Sequence, residues 1–267
     1  MVFEPWLRRW GLVPDGAAIH TRSSDLLPVR HGGRPAMLKL ARSEEERVGH
    51  LLMVWLGGQG AARVFRHDVE ALLLERVEDD LSLAGLVAAG RDDEANRVLC
   101  GVVRHLHAPR PRPWPELTPL PRWFRSLEEA APRYGGMFTL ALEVARQLLA
   151  QPRDVCPLHG DLHHGNVLHS AGRGWLAIDP KGLIGERGFE YANSLCNPDL
   201  ETATQPGRLA RQVHLVAEAA GLERERLLRW ILAYAGLSAA WHLEDGEAET
   251  AEATLEVARR AAAQLAR

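Results

Sequence analysis

Strand-forming and helix-forming segments are segregated along this chain of 267 residues. Short runs typical of β-strands end at Glu75, and after that point the spacing of apolar residues is typical of helices. The strand candidates are residues 17–20, 26–30, 36–40, 62–66 and 71–75. This order predicts an α+β fold with a small strand-rich lobe over residues 1–77 and a large helical lobe over residues 78–267, although the pattern alone allows other α+β folds.

Turn and capping signals divide both regions further. The pair Gly32-Gly33 predicts a hairpin, and Ser43 with Glu46 has the capping-box spacing that begins a helix. A series of six prolines predicts a loop over residues 108–121. The other helix candidates are residues 81–89, 93–107, 123–131, 140–149 and most of 206–267, and residues 157–198 are predicted to form a short irregular centre.

The composition argues against several functional classes. A net charge of −3 with 25% charged residues lacks the basic excess that is typical of nucleic-acid-binding proteins. No apolar stretch approaches the roughly 20 residues that cross a bilayer, and the N-terminus lacks the apolar core of a signal peptide. Three cysteines without a CxxC pair predict neither a disulfide framework nor a structural zinc site. We expect a soluble, cytoplasmic protein, a monomer or weak dimer, that binds neither nucleic acid nor membrane.

The segment from His159 to Asn166 carries the densest chemistry in the chain. Its sequence is HGDLHHGN, and Asp179 follows thirteen residues after Asn166, at the end of an apolar run. Phosphoryl transfer needs a carboxylate that deprotonates a hydroxyl group and oxygen ligands that hold Mg²⁺ on nucleotide phosphates. The spacing D-x-x-x-x-N with a later Asp matches that need. It predicts Asp161 as the catalytic base and Asn166 and Asp179 as Mg²⁺ ligands.

This segment has two other interpretations. In the first, Asp161 and Asn166 cap a turn and take part in no chemistry, as these residue types often do. His159 and His163 also have the four-residue spacing of a zinc site on a helix. Two glycines, Gly160 and Gly165, disfavour a helix there, so phosphoryl transfer is the better interpretation.

A second cluster lies in the strand-rich region. Lys39 lies near the end of the third strand candidate, and three glutamates, Glu44 to Glu46, open the helix after it. A strand lysine that contacts phosphates and is held by a helix glutamate is the other half of a kinase site, whereas the alternative is a surface lysine at a strand edge. The Thr21–Ser24 turn, with Ser23 and Ser24, is predicted to contact phosphate or to be an ordinary surface turn.

These residues give the chain a recognisable likeness. It resembles the aminoglycoside phosphotransferase family, most closely the streptomycin 6-kinase branch of aminoglycoside and hydroxyurea kinases. The likeness is carried by LHGDLHHGN at 158–166, GWLAIDPKGLIGE at 174–186, Asn193, Asn197-Pro198 and AYAGLSAAW at 233–241, with looser matches at 60–64 and 72–75.

The resemblance implies a protein-kinase-like bilobal fold that uses ATP and Mg²⁺. It implies that Glu46, with Glu45 as the fallback, pairs with Lys39, and that backbone groups from Glu75 to Val77 hold adenine. It also implies γ-phosphoryl transfer to a hydroxyl group of a small molecule, streptomycin in the best-known members. The Thr21–Ser24 turn matches no family pattern.

Two further positions bear on the site. Glu190 stands where many phosphotransferases have an Asp that braces the catalytic loop. A cationic aminoglycoside needs an acidic site, which the run at 242–247 could supply, although a solvated helix end is the alternative. Two other functions stay open: a kinase of another hydroxylated or amino metabolite or of hydroxyurea, and a nucleotide-binding module without catalysis.

Overall fold

The computed structural model describes residues 2–77 and 81–266. The predicted boundary between the lobes, between residues 77 and 78, adjoins residues 78–80, which lie outside the described residues. Within the described ranges, no helix is both long and apolar enough to span a membrane.

The N-terminal region is built on one antiparallel sheet. Its strand order is β1-β3-β4-β6-β5, and β2 pairs with the N-terminal end of β3. The elements are α1 (Glu4–Trp10), β1 (Leu12–Pro14), β2 (Ile19–His20), β3 (Ser24–His31), β4 (Arg34–Ala41), α2 (Glu44–Leu56), β5 (Val64–His67) and β6 (Ala71–Glu75). The predicted order of three strands, a helix and two strands is confirmed, but α1 and β1 were missed.

Helix α1 was missed because it is short, although its ends carry clear signals. Pro5 lies in its first turn and Gly11, with φ of 63°, ends it in the left-handed region that favours glycine. Phe3 and Trp10 are buried against Leu27 and Leu38 of the sheet. The helix therefore covers the outer face of the sheet and closes a small core of its own.

The alternation of side chains along β4 decides which of them face α1 and which face the opposite side of the sheet. Ala36, Leu38 and Leu40 are buried on the face that α1 covers. Met37 and Lys39 therefore point to the opposite face, because successive strand side chains alternate. The Gly32-Gly33 turn fixes this register, since both glycines have positive φ, at 56° and 79°, as a two-residue hairpin turn requires.

The C-terminal region is mainly helical. Its helices are α3 (Leu83–Ala88), α4 (Asp92–Leu106), α5 (Leu120–Trp123), α6 (Arg125–Tyr134), α7 (Met137–Ala150), α8 (Ala192–Leu195), α9 (Leu200–Ala203), α10 (Arg208–Ala220), α11 (Arg224–Glu244) and α12 (Ala248–Leu265), with a 3-10 helix at Arg187–Tyr191. The predicted helical pattern over most of 206–267 is divided into α10, α11 and α12 by breaks at Gly221 and Gly246.

The prediction of an irregular centre over residues 157–198 was wrong in part, because one short strand overlaps its start and three more lie within it. They are β8 (Val155–Leu158), β9 (Val167–Ser170), β10 (Gly174–Ala177) and β11 (Leu183–Glu186). β9 and β10 form a hairpin, and β11 lies between β8 and the two-residue β7 (Thr118–Pro119), which also interrupts the predicted proline loop. Each strand has at most four residues, so none shows a clear period of two in the sequence.

Helix α11 forms the centre of the helical region. Its apolar side chains are buried on nearly all sides, and Gly236 allows close contact with α7, because a Cβ atom there would lie 2.3 Å from the Ala141 Cβ. Aromatic rings pack edge to face around it, including Phe189 against Trp230 at 5.6 Å and Trp123 against Trp241 at 5.6 Å. This packing brings the C-terminal end of α11 close to Gly160 and Asp161.

The two regions are joined by close backbone contacts. The Ala62 N–H donates to the Ala177 carbonyl at 3.0 Å, and the Ala177 N–H donates to the Gly60 carbonyl at 2.9 Å. Helix α2 also lies against the segment after Asp179, since a Cβ atom at Gly49 would lie 2.0 Å from the Pro180 carbonyl oxygen. Helix α2 of the N-terminal region and the segment after Asp179 of the C-terminal region are therefore in close contact.

Candidate active site

The segment His159–Asn166 forms a loop between β8 and β9, and a buried carboxylate shapes it. Glu190, 1% exposed, accepts hydrogen bonds from the backbone N–H groups of His159 at 2.6 Å and Gly160 at 2.9 Å. Burial alone would raise the pKa of Glu190, but its hydrogen bond with His107, the neighbouring imidazole rings and the Gly160 N–H lower it. Glu190, although longer than the Asp of many phosphotransferases, thus braces this loop.

His159 is a structural part of this loop. Its Nε2 donates to the Ile178 carbonyl at 2.7 Å, and its Nδ1 accepts from the Asp161 N–H at 3.3 Å. Burial lowers the pKa of the ring, which matches a neutral tautomer with the proton on Nε2. Both nitrogens are occupied, so His159 has no free position for a metal. His163 accepts from the Gly165 N–H at 3.1 Å, and His164 is buried.

Asp161 is held by two amide side chains. Its Oδ1 accepts from Asn193 Nδ2 at 2.9 Å, and its Oδ2 accepts from Asn166 Nδ2 at 3.2 Å. Asn193 is itself fixed by Asn197, whose Nδ2 donates to the Asn193 Oδ1 at 2.9 Å. These contacts set the direction of the carboxylate before any ligand binds.

Asp179 lies beside this loop and contacts the strand lysine. The Ile178 N–H donates to the Asn166 carbonyl at 2.9 Å, which brings Asn166 and Asp179 together. The Asp179 carboxylate pairs with Lys39, and Lys39 also pairs with Glu46. Burial would raise the pKa of Asp179, but the charge and hydrogen bond of Lys39 lower it. The structure therefore brings Lys39, Glu46 and Asp179 together.

Glu46 shows why the capping-box prediction was half right. Ser43 accepts from the Glu46 N–H at 3.3 Å, as the pattern predicts. The Glu46 side chain does not return to the helix start, because it is buried between Lys39 and Lys181. Glu45 is 41% exposed and reaches only Lys181, at 3.3 Å. Of the two glutamates, it is Glu46 that pairs with Lys39.

One cavity opens beneath the sheet; we call it the inner cavity. It has a volume of about 350 Å³ and combines an apolar floor with the cluster around Lys39. Its lining residues are Thr21, Ser23, Ser24, Leu26, Met37, Lys39, Leu74, Glu75, Arg76, Val77, Asn166, Leu168, Ile178 and Asp179. All the predicted nucleotide residues except Glu46, which lies behind Lys39, therefore line one cavity.

Several of these residues already have partners. The Glu75 carboxylate pairs with Arg173, and its backbone N–H donates to the Arg63 carbonyl at 2.8 Å. The Ser24 N–H donates to Thr21 Oγ1 at 3.0 Å, so Ser24 stabilises the turn itself. Ser23, at the tip of that turn, lines the inner cavity.

A second cavity of about 660 Å³, the outer cavity, adjoins the first. It brings together four carboxylates, four cationic side chains and three aromatic rings from distant parts of the chain. Its lining residues are Arg22, Ser23, Ser43, Glu45, Arg122, Trp123, Arg125, Ser126, Gly160, Asp161, Lys181, Tyr234, Trp241, Glu244 and Asp245. Ser23 lines both cavities, and Asp161 lies on the outer side of the boundary.

Comparison with known proteins identifies the family of this chain. A family model described as aminoglycoside/hydroxyurea antibiotic resistance kinase matches residues 9–246. The chain belongs to this kinase family. A streptomycin 3''-kinase from Klebsiella pneumoniae is 51% identical over 262 residues, covering 96% of this chain and 98% of the relative. A streptomycin 6-kinase from Streptomyces glaucescens is 33% identical, covering 96% and 87%.

Solved structures support the fold. A thermostable mutant of aminoglycoside phosphotransferase APH(4)-Ia, in a ternary complex with ADP and hygromycin B, superposes with a TM-score of 0.67. The alignment covers 97% of this chain and 98% of that structure at 15% identity. The predicted bilobal, protein-kinase-like fold is confirmed, and this kinase-family chain is a small-molecule phosphotransferase.

Sequence reasoning missed several residues at the site. Asn193 was noted only as part of a matching block, and its contact with Asp161 depends on a turn that follows the 3-10 helix. His107 carried no pattern of its own, and Lys181 lay in a matching block without an assigned role. The aromatic wall of the outer cavity, Trp123 and Trp241, comes from helices far apart in the chain, which no local spacing connects.

Proposed function

We propose that this kinase transfers the γ-phosphoryl group of ATP to a hydroxyl group of streptomycin, with Asp161 as the base. The proposal is carried by one observation: the inner and outer cavities adjoin, and the residues predicted for catalysis lie where they adjoin. Lys39 and Asp179 lie on the inner side, Asp161 lies on the outer side, and Ser23 touches both.

The inner cavity suits ATP. Leu26, Met37 and Leu168 offer apolar surface to a base, and the segment ending at Val77 offers backbone groups at its edge. Lys39, fixed by Glu46, supplies a positive charge for the phosphates. Ser23 supplies a hydroxyl group near the point where the two cavities meet.

Magnesium fits the donors at this cluster. Asn166 and Asp179 offer one amide and one carboxylate, and Mg²⁺ commonly takes one or two protein ligands and completes its shell with water and phosphates. Among the described residues there is no group of three or more His, Cys, Asp or Glu side chains that could hold a metal on its own. When bound, the ion would neutralise phosphate charge and orient the terminal phosphate.

The outer cavity suits a cationic acceptor with polar rings. Glu244 offers a carboxylate, Asp245 and Glu45 offer carboxylates that already pair with Arg22 and Lys181, and Trp123 with Trp241 offers aromatic faces that attract cations. Part of the predicted acidic run at 242–247 thus lines the cavity. The relative named as a streptomycin 3''-kinase is 51% identical against 33% for a 6-kinase, so we propose the 3'' position, with position 6 as the alternative.

The step requires little covalent participation by the protein. The acceptor oxygen forms a bond to the γ-phosphorus while the bond to the β–γ bridging oxygen breaks, and that oxygen leaves on ADP with the electron pair. Asp161 takes the hydroxyl proton, and Asn193 and Asn166 hold its carboxylate in position. Lys39 stabilises the negative charge on the phosphates.

A direct assay tests the proposal. Purified protein is incubated with ATP, Mg²⁺ and either streptomycin or hydroxyurea, ADP release is measured, and the product is located by NMR. We expect streptomycin-dependent ADP release and a phosphate ester at the 3'' oxygen. Release with hydroxyurea alone, or with neither compound, would contradict the proposed acceptor.

A further inference from the structure

Glu46 is shared by two lysines that face different cavities. Its carboxylate is 1% exposed; one oxygen pairs with Lys39 and the other lies 3.2 Å from the Lys181 Nζ. Lys39 lines the inner cavity and Lys181 lines the outer cavity. A buried carboxylate therefore holds one ammonium group on each side of the boundary that a transferred phosphoryl group must cross.

The amino-acid composition makes this arrangement unusual. Lys and Arg total 32, and the sequence contains lysine only at positions 39 and 181, which leaves 30 arginines. Everywhere else the chain uses arginine for positive charge. Lysine has a compact ammonium group with freely rotating donors, whereas arginine is a wide planar fork. Both lysines contact the same glutamate.

The backbone of Lys181 is fixed to the catalytic loop. Its N–H donates to the His159 carbonyl at 2.7 Å, and its Cβ is 3.4 Å from the position that a Cβ would take on Gly160. On the other side, α2 closes on this segment, because a Cβ at Gly182 would lie 2.8 Å from the Val48 carbonyl oxygen. Lys181 is thus positioned by both lobes, and its side chain remains 15% exposed toward the outer cavity.

We propose that Lys181 is a further catalytic residue, which binds the non-bridging oxygens of the phosphoryl group as that group passes from ATP to the acceptor. This inference rests on the proposed function. The γ-phosphorus exchanges its bond to the bridging oxygen of ADP for a bond to the acceptor oxygen, and Asp161 takes the proton. Lys181 gives up no proton and receives none; it supplies positive charge on the acceptor side, where Lys39 does not reach.

A purely structural role predicts a different result. If Lys181 only neutralised Glu46, its loss would reduce stability and loosen Lys39, which would weaken nucleotide binding. If Lys181 contacts the phosphoryl group in transit, its loss reduces kcat and leaves nucleotide binding and folding close to normal.

The kinetic experiment uses Lys181→Met, Lys181→Gln and Lys181→Arg in the full chain with ATP, Mg²⁺ and streptomycin. We expect kcat to fall by about 100-fold in Lys181→Met and Lys181→Gln, the size seen when one transition-state donor is removed. The KM for ATP, the affinity for Mg·ADP by calorimetry and the melting temperature should stay near wild type. Lys181→Arg, which keeps the charge, should recover part of the lost kcat.

The two lysines also allow a direct physical readout. With lysine labelled at ¹⁵Nζ, the spectrum contains two side-chain signals, which Lys181→Arg assigns. We expect Mg·ADP alone to shift the Lys39 signal, and Mg·ADP with aluminium fluoride and streptomycin, a mimic of the group in transit, to shift the Lys181 signal.

Two outcomes would overturn the proposal. One is a kcat within about threefold of wild type in Lys181→Met, well below the usual effect of a lost donor. The other is a Lys181 signal that the fluoride complex leaves unmoved. Absence of streptomycin phosphorylation by the wild-type protein would instead refute the proposed acceptor, and the three variants would then be compared on hydroxyurea.

Discussion

The inner and outer cavities differ in how they are built. The inner cavity lies against the strands of the N-terminal sheet, and the three residues of its charged centre, Lys39, Asn166 and Asp179, fall in two local sequence patterns. The outer cavity combines the Thr21–Ser24 turn, the start of α2, the α5–α6 segment, the catalytic loop and the end of α11. The first is defined by local sequence and the second by the packing of distant elements, which suggests that reaction type and acceptor choice depend on separate parts of the molecule.

The variant Asp161→Asn should separate the functions of the two cavities most clearly. Loss of the base should reduce kcat by about 10²–10⁴-fold, the usual range for general acid–base catalysis. Affinity for Mg·ADP should be retained, since Asp161 lines the outer cavity alone. Steady-state kinetics and calorimetry check this, and unchanged turnover would remove Asp161 from the mechanism.

Lys39→Met should have its main effect on the inner side. It removes the charge beside Asp179 and leaves the buried Glu46 with only Lys181. We expect kcat/KM for ATP to fall by about 100-fold, comparable with the loss of one electrostatic donor, while the KM for streptomycin changes little. An equal rise in both KM values would mean that the two cavities are not separable.

A pH experiment tests the packing of α2 near the inner cavity. Burial lowers the pKa of His50 to about 4, and neither ring nitrogen has a hydrogen-bond partner among the described residues. The folded protein holds His50 neutral while the unfolded chain takes up a proton near pH 6.5, so stability is present above 6.5 and is lost as the pH falls toward 4.

We expect wild type to lose roughly 2 kcal/mol of unfolding free energy through His50 between pH 7 and pH 5, and His50→Leu to lose correspondingly less. Urea unfolding at both pH values measures this. His214→Gln removes an exposed histidine from α10 and serves as the matched control. An identical pH dependence in wild type and His50→Leu would contradict the assignment.

The smallest effect is expected from substitutions of acidic residues in the outer cavity. Glu244→Gln with Asp245→Asn removes two carboxylates that line it. Because both lie near solvent, we expect the KM for streptomycin to rise by about tenfold and the KM for ATP to stay constant. The matched control is Glu201→Gln with Glu225→Gln, which removes two exposed carboxylates that line neither cavity. A streptomycin KM that stays at the wild-type value would show that the cation binds elsewhere.

The same division explains what could be predicted from the sequence. Asp161, Asn166 and Asp179 follow a spacing that the chemistry requires, so their grouping was foreseen. Lys39 was foreseen because strand alternation and a following acidic helix start are local signals. Asn193, Lys181 and the tryptophans of the outer cavity were not, because their positions depend on a turn, a shared buried carboxylate and helix packing.

The most direct test of the two-cavity account is a crystal structure with ADP, Mg²⁺ and streptomycin bound together. The account predicts ADP in the inner cavity, Mg²⁺ on Asn166 and Asp179, and one streptomycin hydroxyl group within about 3 Å of the Asp161 carboxylate, the reach of a general base. Streptomycin bound outside the outer cavity, or every hydroxyl group remote from Asp161, would contradict it.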